Sequence, residues 1–378
     1  MASTTTTTNG SPAGVRPARR RVRLRSWLAA ALRVAILVGL SAFTAWTATR
    51  SEAILEARSA FAGARSNDRP ALRLALRRSL DHLGRHPNDA EAALIAGRCL
   101  TRLEFYRQAE PYFDIAERAG LLTRADLNDL ALGLTLSRQA ERAVAVYERI
   151  LRQAPDDPDA LRRLGAIRYG QMRYEDAIAL GRRLAKVPGS EESGQLLLGM
   201  TFGEKHQYAP AAAAYEEVLR LDPELRRISM PADLFWSDLA TNFLQTGRGA
   251  DLRRYLERAL ERDEGAVLLD LLGMAFEQEA EDDADADAER CYRRAVDIDP
   301  TRASPWKHLG LLLERRNDLE KALEYLDRSF GLEPNDIQTV EHLKLIHYRL
   351  GHPDKAREFE EKAAEIRAKQ KSTTGMGN

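Results

Sequence analysis

Hydrophobic residues recur at three- and four-residue spacing from about Ser51 to Gln370, and Pro, Gly, Asn and Asp separate the runs. This spacing places the apolar side chains on one face of an α-helix, and the separating residues end each helix. The pattern also has a fixed period. One small residue returns every 34 residues, at Gly97, Ala131, Gly165 and Gly199. We therefore predict a series of helix pairs, each of which repeats the contacts of the pair before it.

The second helix of each predicted pair carries marks with the same period. Its small residue is Ala109, Ala143, Ala177 or Ala211. The prolines that close pairs are Pro87, Pro155 and Pro223. Small residues allow the two helices to cross closely, and proline ends the second helix because it cannot continue one.

Residues 304–336 contain the fullest set of marks. They are Trp306, Leu309, Gly310, Leu313, Ala322, Leu326 and Pro334. With this spacing the chain resembles the tetratricopeptide-repeat (TPR) family, whose period is 34 residues. The resemblance implies an all-α fold, a right-handed TPR superhelical solenoid of about nine helix pairs over residues 56–370. An irregular helical bundle is the structural alternative.

The register is interrupted in two places. Residues 224–232, ELRRISMPA, form an inserted connection, after which Trp236, Leu239 and Ala240 restart the pattern. Three further residues are inserted around the acidic stretch EDDAD at 281–285. A last pair, from His342 to Ala363, loses most of the marks, and we expect it to cap the stack with a polar face.

The first fifty residues differ from the rest. Residues 1–25 are rich in Ser, Thr, Pro and Arg, and we predict a disordered cytoplasmic tail. Residues 26–49 are apolar apart from Arg33, long enough to span a bilayer, with Trp27 and Trp46 near their ends. We predict a single transmembrane helix that acts as a signal anchor. A cleaved signal peptide and a buried soluble helix remain alternatives.

The distribution of charge predicts the orientation. Arginines cluster before the span, and the first acidic residue is Glu52. The positive-inside rule then leaves the N-terminus in the cytoplasm and translocates the repeats. Composition is typical of a GC-rich bacterial genome, so the prediction is a single-pass protein of the bacterial inner membrane with a periplasmic TPR domain. Residues 371–378 are predicted to be a disordered tail.

Composition and motifs limit the chemistry. The formal net charge is zero, which argues against a general nucleic-acid binder. The two cysteines, Cys99 and Cys291, cannot form a four-cysteine metal site, and we expect them to be buried small residues. His82 and His86 lie one turn apart without an evident third ligand, and the acids from Asp283 onward lack the glycine of a calcium loop. We predict no enzyme activity, cofactor or metal.

The family resemblance implies that a protein or peptide ligand binds in the concave groove, lined mainly by the first helix of each repeat. By this analogy the groove-facing residues are Arg98, Arg102, Asn128, Arg162, Thr241, Asp270, Lys307, Leu311, Arg315, Glu341 and Arg349. The cations near the N-terminal end would suit an acidic or C-terminal carboxylate ligand. An ordinary solvated helix face is the alternative. Leu311 stands one turn after Lys307, where carboxylate-clamping members of the family have asparagine, so we do not expect chaperone tails to bind.

The predicted function is a membrane-anchored scaffold or adaptor for protein–protein interactions in bacterial envelope assembly or secretion. One N-terminal span followed by nine repeats is similar to a family of lipopolysaccharide-assembly regulators, although this chain lacks that family's four-cysteine module. The alternative is a non-catalytic TPR subunit of an enzyme complex, with a glycosyltransferase or peptidase on another chain.

Overall fold

The computed structural model of the protein describes residues 54–62, 68–279 and 284–375, with side chains up to residue 371. Every regular element in these ranges is an α-helix, which confirms the predicted all-α class. The predicted tail at 1–25 and transmembrane helix at 26–49 lie outside the described residues. Within the described ranges, no helix is both long and apolar enough to cross a bilayer.

The chain forms two compact units, and the boundary between Val146 and Tyr147 falls inside α6. The described helices of the first unit are α1 (54–62), α2 (Arg69–Arg85), α3 (Ala90–Arg102), α4 (Tyr106–Arg118), α5 (Arg124–Leu136) and the start of α6 (Ala140–Gln153). Here α3 packs against α4 and α4 against α5. The first helical residue that the structure describes is thus residue 54.

The described helices of the second unit follow the end of α6. They are α7 (Pro158–Gly170), α8 (Tyr174–Leu184), α9 (Glu191–Glu204), α10 (Tyr208–Leu221), α11 (Ala232–Gln245), α12 (Gly249–Leu260), α13 (Ala266–Gln278), α14 (Ala284–Ile298), α15 (Ala303–Arg315), α16 (Leu319–Leu332), α17 (Ile337–Arg349) and α18 (Pro353–Gly375). The odd-numbered helices contact one another in chain order, and each even-numbered helix packs against the odd ones before and after it. The helical segment therefore continues beyond residue 370.

Helix ends follow the proline marks of the sequence. Arg85, Gln153, Leu221, Ile298 and Leu332 are each the last residue of a helix. The proline two positions later cannot continue the helix, as the sequence predicted. Several first helices begin at a side-chain cap: Asp89 accepts the amide hydrogens of Glu91 and Ala92, and Asp157 accepts that of Ala160.

Two of the periodic glycines, Gly97 and Gly199, lie where the two helices of a pair cross. A Cβ on Gly97 would stand 3.0 Å from the ring of Phe113, and one on Gly199 would stand 3.0 Å from the ring of Tyr215. Both rings are almost fully buried. The glycine and the aromatic residue are therefore one packing unit, in which the ring occupies the space that the missing side chain leaves.

The inserted connection belongs to the core of the second unit. Leu225, Ile228 and Met230 pack on a cluster that includes Tyr215, Phe235, Trp236 and Phe243. These apolar contacts explain why a longer connection can be held between α10 and α11 without an exposed hydrophobic loop.

Candidate functional site

The odd-numbered helices carry a row of polar side chains that join one repeat to the next. In the first unit, Arg98 donates two hydrogen bonds to Asp126, at 2.6 and 2.7 Å, and Thr101 donates to Asp129 at 3.2 Å. The guanidinium of Arg102 lies over the ring of Phe61, 4.2 Å from its centroid. The positive charges of Arg98 and Arg102, both predicted groove residues, are thus engaged within their own unit.

Asn128, another predicted groove residue, differs from its neighbours. Its Oδ1 is buried and has no hydrogen-bond partner among the described residues. A buried acceptor without a donor costs about 1–3 kcal/mol. The same feature occurs at Asn242 in the second unit, where a pocket accompanies it.

The predicted groove residues of the second unit are mostly paired as well. Asp270 accepts hydrogen bonds from Ser304 at 2.5 Å and interacts with His308 at 2.7 Å. Arg315 lies 3.0 Å from Glu277, and Lys307 lies 3.4 Å from Asp336. These contacts join the first helix of one repeat to that of another.

The remaining predicted residues make similar contacts. Arg162 pairs with Asp159 on its own helix at 2.9 Å. Glu341 contacts Lys344 and Arg367. Arg349 donates to the side chain of Asn317 at 2.6 Å. Thr241 and Leu311 carry no charge, and the Thr241 hydroxyl donates to the backbone oxygen of Ser237 at 2.9 Å.

A pocket of about 260 Å³ opens on the odd-numbered helices around Thr241. Its wall comprises Tyr169, Met200, Gly203, Glu204, His206, Tyr208, Tyr215, Asp238, Thr241 and Asn242. The phenol of Tyr169 donates to Glu204 at 3.3 Å, and that of Tyr215 donates to Asp238 at 3.1 Å. The pocket therefore contains two carboxylates, each bonded to a neutral phenol.

Asn242 is one of the residues that line this pocket. It is 4% exposed, and its Nδ2 donates to the backbone oxygen of Asp238 at 2.7 Å. Its Oδ1 has no hydrogen-bond donor within the described chain. Gly203 leaves room opposite this amide, since a Cβ there would stand 3.5 Å from Nδ2 and 3.6 Å from Oδ1.

Burial and the two carboxylates shape the electrostatics of the pocket. Burial raises the pKa of Asp238, the bond from Tyr215 acts against this, and the charge of Glu204 raises the pKa further. Burial, followed by the charge of Glu204, raises the pKa of Tyr169 to about 12. Burial is the main cause of both pKa shifts, and the negative charge of Glu204 contributes to both, so neither a further proton loss nor another anion is favoured in the pocket.

A larger cleft of about 1280 Å³ lies where the inserted connection meets the ends of α12 and α14. Two of its arginines have partners on the walls: Arg302 lies 2.6 Å from Asp233, and Arg262 donates to the oxygen of Pro223 at 2.9 Å. We attribute this cleft to the insertion, because Glu224, Leu225 and Arg226 of the inserted connection form part of its wall.

The described residues contain no group of three or more His, Cys, Asp or Glu side chains placed to hold a metal ion. His82 instead interacts with Asp89, 3.2 Å away, and both side chains are buried. Asp285 and Asp287 of the acidic stretch lie near Arg316 and Arg290, whereas Asp283 is outside the described residues. Cys99 is fully buried, and burial raises the pKa of its thiol to about 12.

Sequence reasoning selected Thr241 and missed the rest of the pocket. Glu204 could have been found from its spacing, because it follows Gly199 by five residues. The predicted groove residues Arg102 and Arg315 follow Gly97 and Gly310 by the same five residues. Asp238 and Asn242 gave no comparable signal, because the insertion before α11 obscured their register.

Comparison with known proteins supports the repeat assignment. Residues 129–191 and 286–336 match one tetratricopeptide-repeat model, and residues 193–225 match a second. No curated protein matches the chain.

Several solved structures are similar in part. The crystal structure of MamA is 22% identical, with a TM-score of 0.36, and the match covers 46% of this chain and 97% of that one. YrrB, described as a TPR protein with an unusual peptide-binding site, is 19% identical, with a TM-score of 0.39 and coverage of 51% and 95%. A tetratricopeptide-repeat protein from Parabacteroides merdae ATCC 43184 is 15% identical, with a TM-score of 0.43 and coverage of 70% and 98%.

The helix pairs, the 34-residue marks and the two repeat models agree with one another. The chain therefore contains tetratricopeptide repeats.

Proposed function

We propose that this protein is a non-catalytic scaffold that binds a polypeptide on its odd-numbered helices. The observation that carries the proposal is the pocket around Thr241. Its two carboxylates have no lysine or arginine partner among the described residues, and the Asn242 oxygen lacks a donor, whereas most of the other predicted groove residues are paired. Repeat arrays present such rows of side chains along an extended surface, which suits an extended or helical ligand.

The proposal includes a place at the membrane. The apolar stretch at 26–49 and the arginines before it support a single span with the N-terminus in the cytoplasm. In a bacterial inner membrane this would present the repeats to the periplasm, where envelope assembly and secretion require scaffolds.

We expect a C-terminal alkaline phosphatase fusion to the full chain to be active in intact cells, because that enzyme folds only where disulfides form. A fusion from which residues 26–49 are deleted is the control and should be inactive. Equal activity of both fusions, or an inactive full-length fusion present at normal level, would contradict the proposed topology.

We expect a photo-crosslinking amino acid at Thr241 of the full chain to form a specific adduct with a polypeptide in cells that produce the protein natively. Thr241 is exposed and lies at the pocket, so a ligand on the odd-numbered helices passes within reach of it. The adduct is identified by mass spectrometry.

The matched control is the same crosslinker at Arg290, whose side chain is 76% exposed on the even-numbered helix α14. The same adducts from both positions would show that contact is not confined to the odd-numbered helices. An adduct from Arg290 alone would reject the proposed surface.

A further inference from the structure

Glu204 and Asp238 differ from the glutamates that follow them along the odd-numbered helices of the second unit. Glu277 lies 3.0 Å from Arg315, and Glu314 lies 3.5 Å from Arg349. Within the part of the chain that the structure describes, Glu204 and Asp238 have no lysine or arginine partner and are bonded only to phenols. Their negative charge is therefore available to a cation from outside.

A second observation points to the same ligand. Asn242 is more than nine-tenths buried, its Oδ1 lacks a donor, and the residue lines the pocket together with the two acids. Leaving such an acceptor unpaired costs about 1–3 kcal/mol, which a ligand that carries N–H groups would offset once the amide turns toward it. The carboxylates and the amide oxygen all require donors, and none of them would favour an anion.

The size and the aromatic wall restrict the ligand further. At about 30 Å³ for each water molecule, 260 Å³ holds roughly nine waters, which is below the range of pockets for drug-sized molecules. Tyr169 and Tyr208 line the pocket, and phenol rings attract cations. The space therefore suits one side chain rather than a cofactor.

We propose that the pocket between Glu204, Asp238 and Asn242 binds a single basic side chain, arginine above all, of the polypeptide that the scaffold holds. A guanidinium offers five N–H donors in one plane, so it can serve both carboxylates and the amide oxygen while it packs against a tyrosine. This inference rests on the proposed function, because it names the chemistry of that ligand.

The test uses the full chain and two small probes, N-acetylargininamide and its neutral isostere N-acetylcitrullinamide. We expect saturation-transfer NMR to detect the arginine probe at millimolar concentrations and to detect the citrulline probe at least roughly tenfold more weakly. The double variant Glu204→Gln, Asp238→Asn should weaken arginine binding by roughly tenfold or more, since both substitutions preserve shape and remove charge.

The matched control is Glu320→Gln with Asp354→Asn, which changes the net charge equally at two exposed positions and should bind the arginine probe like the unaltered chain. Circular dichroism checks that both variants fold. The inference is overturned if the arginine probe gives no saturation transfer, if citrulline binds equally, or if the pocket variant binds like the control.

The outcome is separable from that of the crosslinking experiment. An adduct at Thr241 with unchanged arginine binding in the pocket variant would leave the scaffold function standing and reject the basic ligand. Arginine binding that depends on the two acids, without an adduct at Thr241, would reject the proposed function and leave a cation pocket.

Discussion

Replacement of Gly194 by alanine should lower the free energy of unfolding by about 3 kcal/mol, because overpacking costs typically 1–3 kcal/mol and here the obstacle is rigid. A Cβ on Gly194 would stand 2.2 Å from the backbone nitrogen of Ala185 and 2.6 Å from its Cα. Those atoms belong to the end of α8, so no side chain can rotate to make room. Either α9 must move away from α8 or the backbone must distort.

The measurement is thermal unfolding of the full chain followed by circular dichroism. For a unit of this size, each kcal/mol lowers the midpoint by about 2–4 °C, so the variant should unfold roughly 6–12 °C earlier. Gly331→Ala is the matched control: it lies inside α16 with no atom within 4 Å of a Cβ. Alanine should stabilise that helix by up to about 1 kcal/mol.

A lower unfolding midpoint for Gly194→Ala together with a higher one for Gly331→Ala would establish the close approach of α8 and α9. A small effect at both positions would show that α9 can shift freely, and the packing described for this pair would then be wrong. Destabilisation at both would indicate that glycine matters for another reason, such as backbone flexibility.

Gly194 also illustrates what the sequence could not supply. The periodic glycines, such as Gly97 and Gly199, were predictable because a fixed interval marks them, and the structure places aromatic rings over both. The residues at the same interval before Gly194 include Ala92 and Ala160, so the sequence marks a small residue there but not a glycine. Gly194 serves the contact between α8 and the following helix. Only the packing of these two helices reveals why a methyl group is too large.

The turns within the helix pairs show the same limit. Glu104, Arg138, Met172, His206 and Asn317 all have positive φ, and each lies two residues after the end of the first helix of its pair. The residue after each of them closes a hydrogen bond to the helix, as in Phe105 to Leu100 at 2.8 Å and Arg173 to Arg168 at 2.9 Å. Glycine is usual in this conformation and would have marked the turns. Because these five residues are not glycines, the sequence did not indicate the positive φ, and tertiary packing imposes this conformation instead.

The groove residues implied by the family resemblance stay a prediction, and of them Thr241 lines the pocket. The sequence could not show which of their charges already have partners, because a partner 28 or more residues away becomes adjacent only when the repeats stack. Arg98 is the clearest example, since its partner Asp126 lies on the next odd-numbered helix.

Replacement of Arg98 by alanine should therefore destabilise the first unit by about 2 kcal/mol. Removing one partner of a buried ion pair costs about 3–5 kcal/mol, and we reduce this because the Arg98 side chain is 30% exposed and Thr123 still bonds to Asp126. A charge reversal at Arg98 would accordingly disturb the fold, and any loss of ligand binding it caused could not be assigned to the groove.

The pH dependence of the stability loss in Arg98→Ala separates two contributions of Arg98, its charge and the packing of its apolar stem. Burial alone would raise the pKa of Asp126, but the bonds from Arg98 and Thr123 more than offset this and lower it. A lowered carboxyl pKa stabilises the fold above the unfolded value of about 3.9, and this stability is lost as the pH falls through the folded value. Without Arg98 the pKa of Asp126 in the folded state rises. The loss of unfolding free energy in the variant should therefore be full at neutral pH and shrink as acid protonates Asp126.

The measurement is urea unfolding at neutral and at mildly acidic pH. It compares the free energy of unfolding of the unaltered chain with that of Arg98→Ala and Arg98→Met. The methionine variant keeps most of the apolar stem and should share the pH-dependent part of the loss. If instead the deficit of Arg98→Ala is independent of pH and methionine restores stability, packing of the stem explains the effect. Arg98 would then remain available to bind an anionic ligand, as its position in the repeat alone predicts.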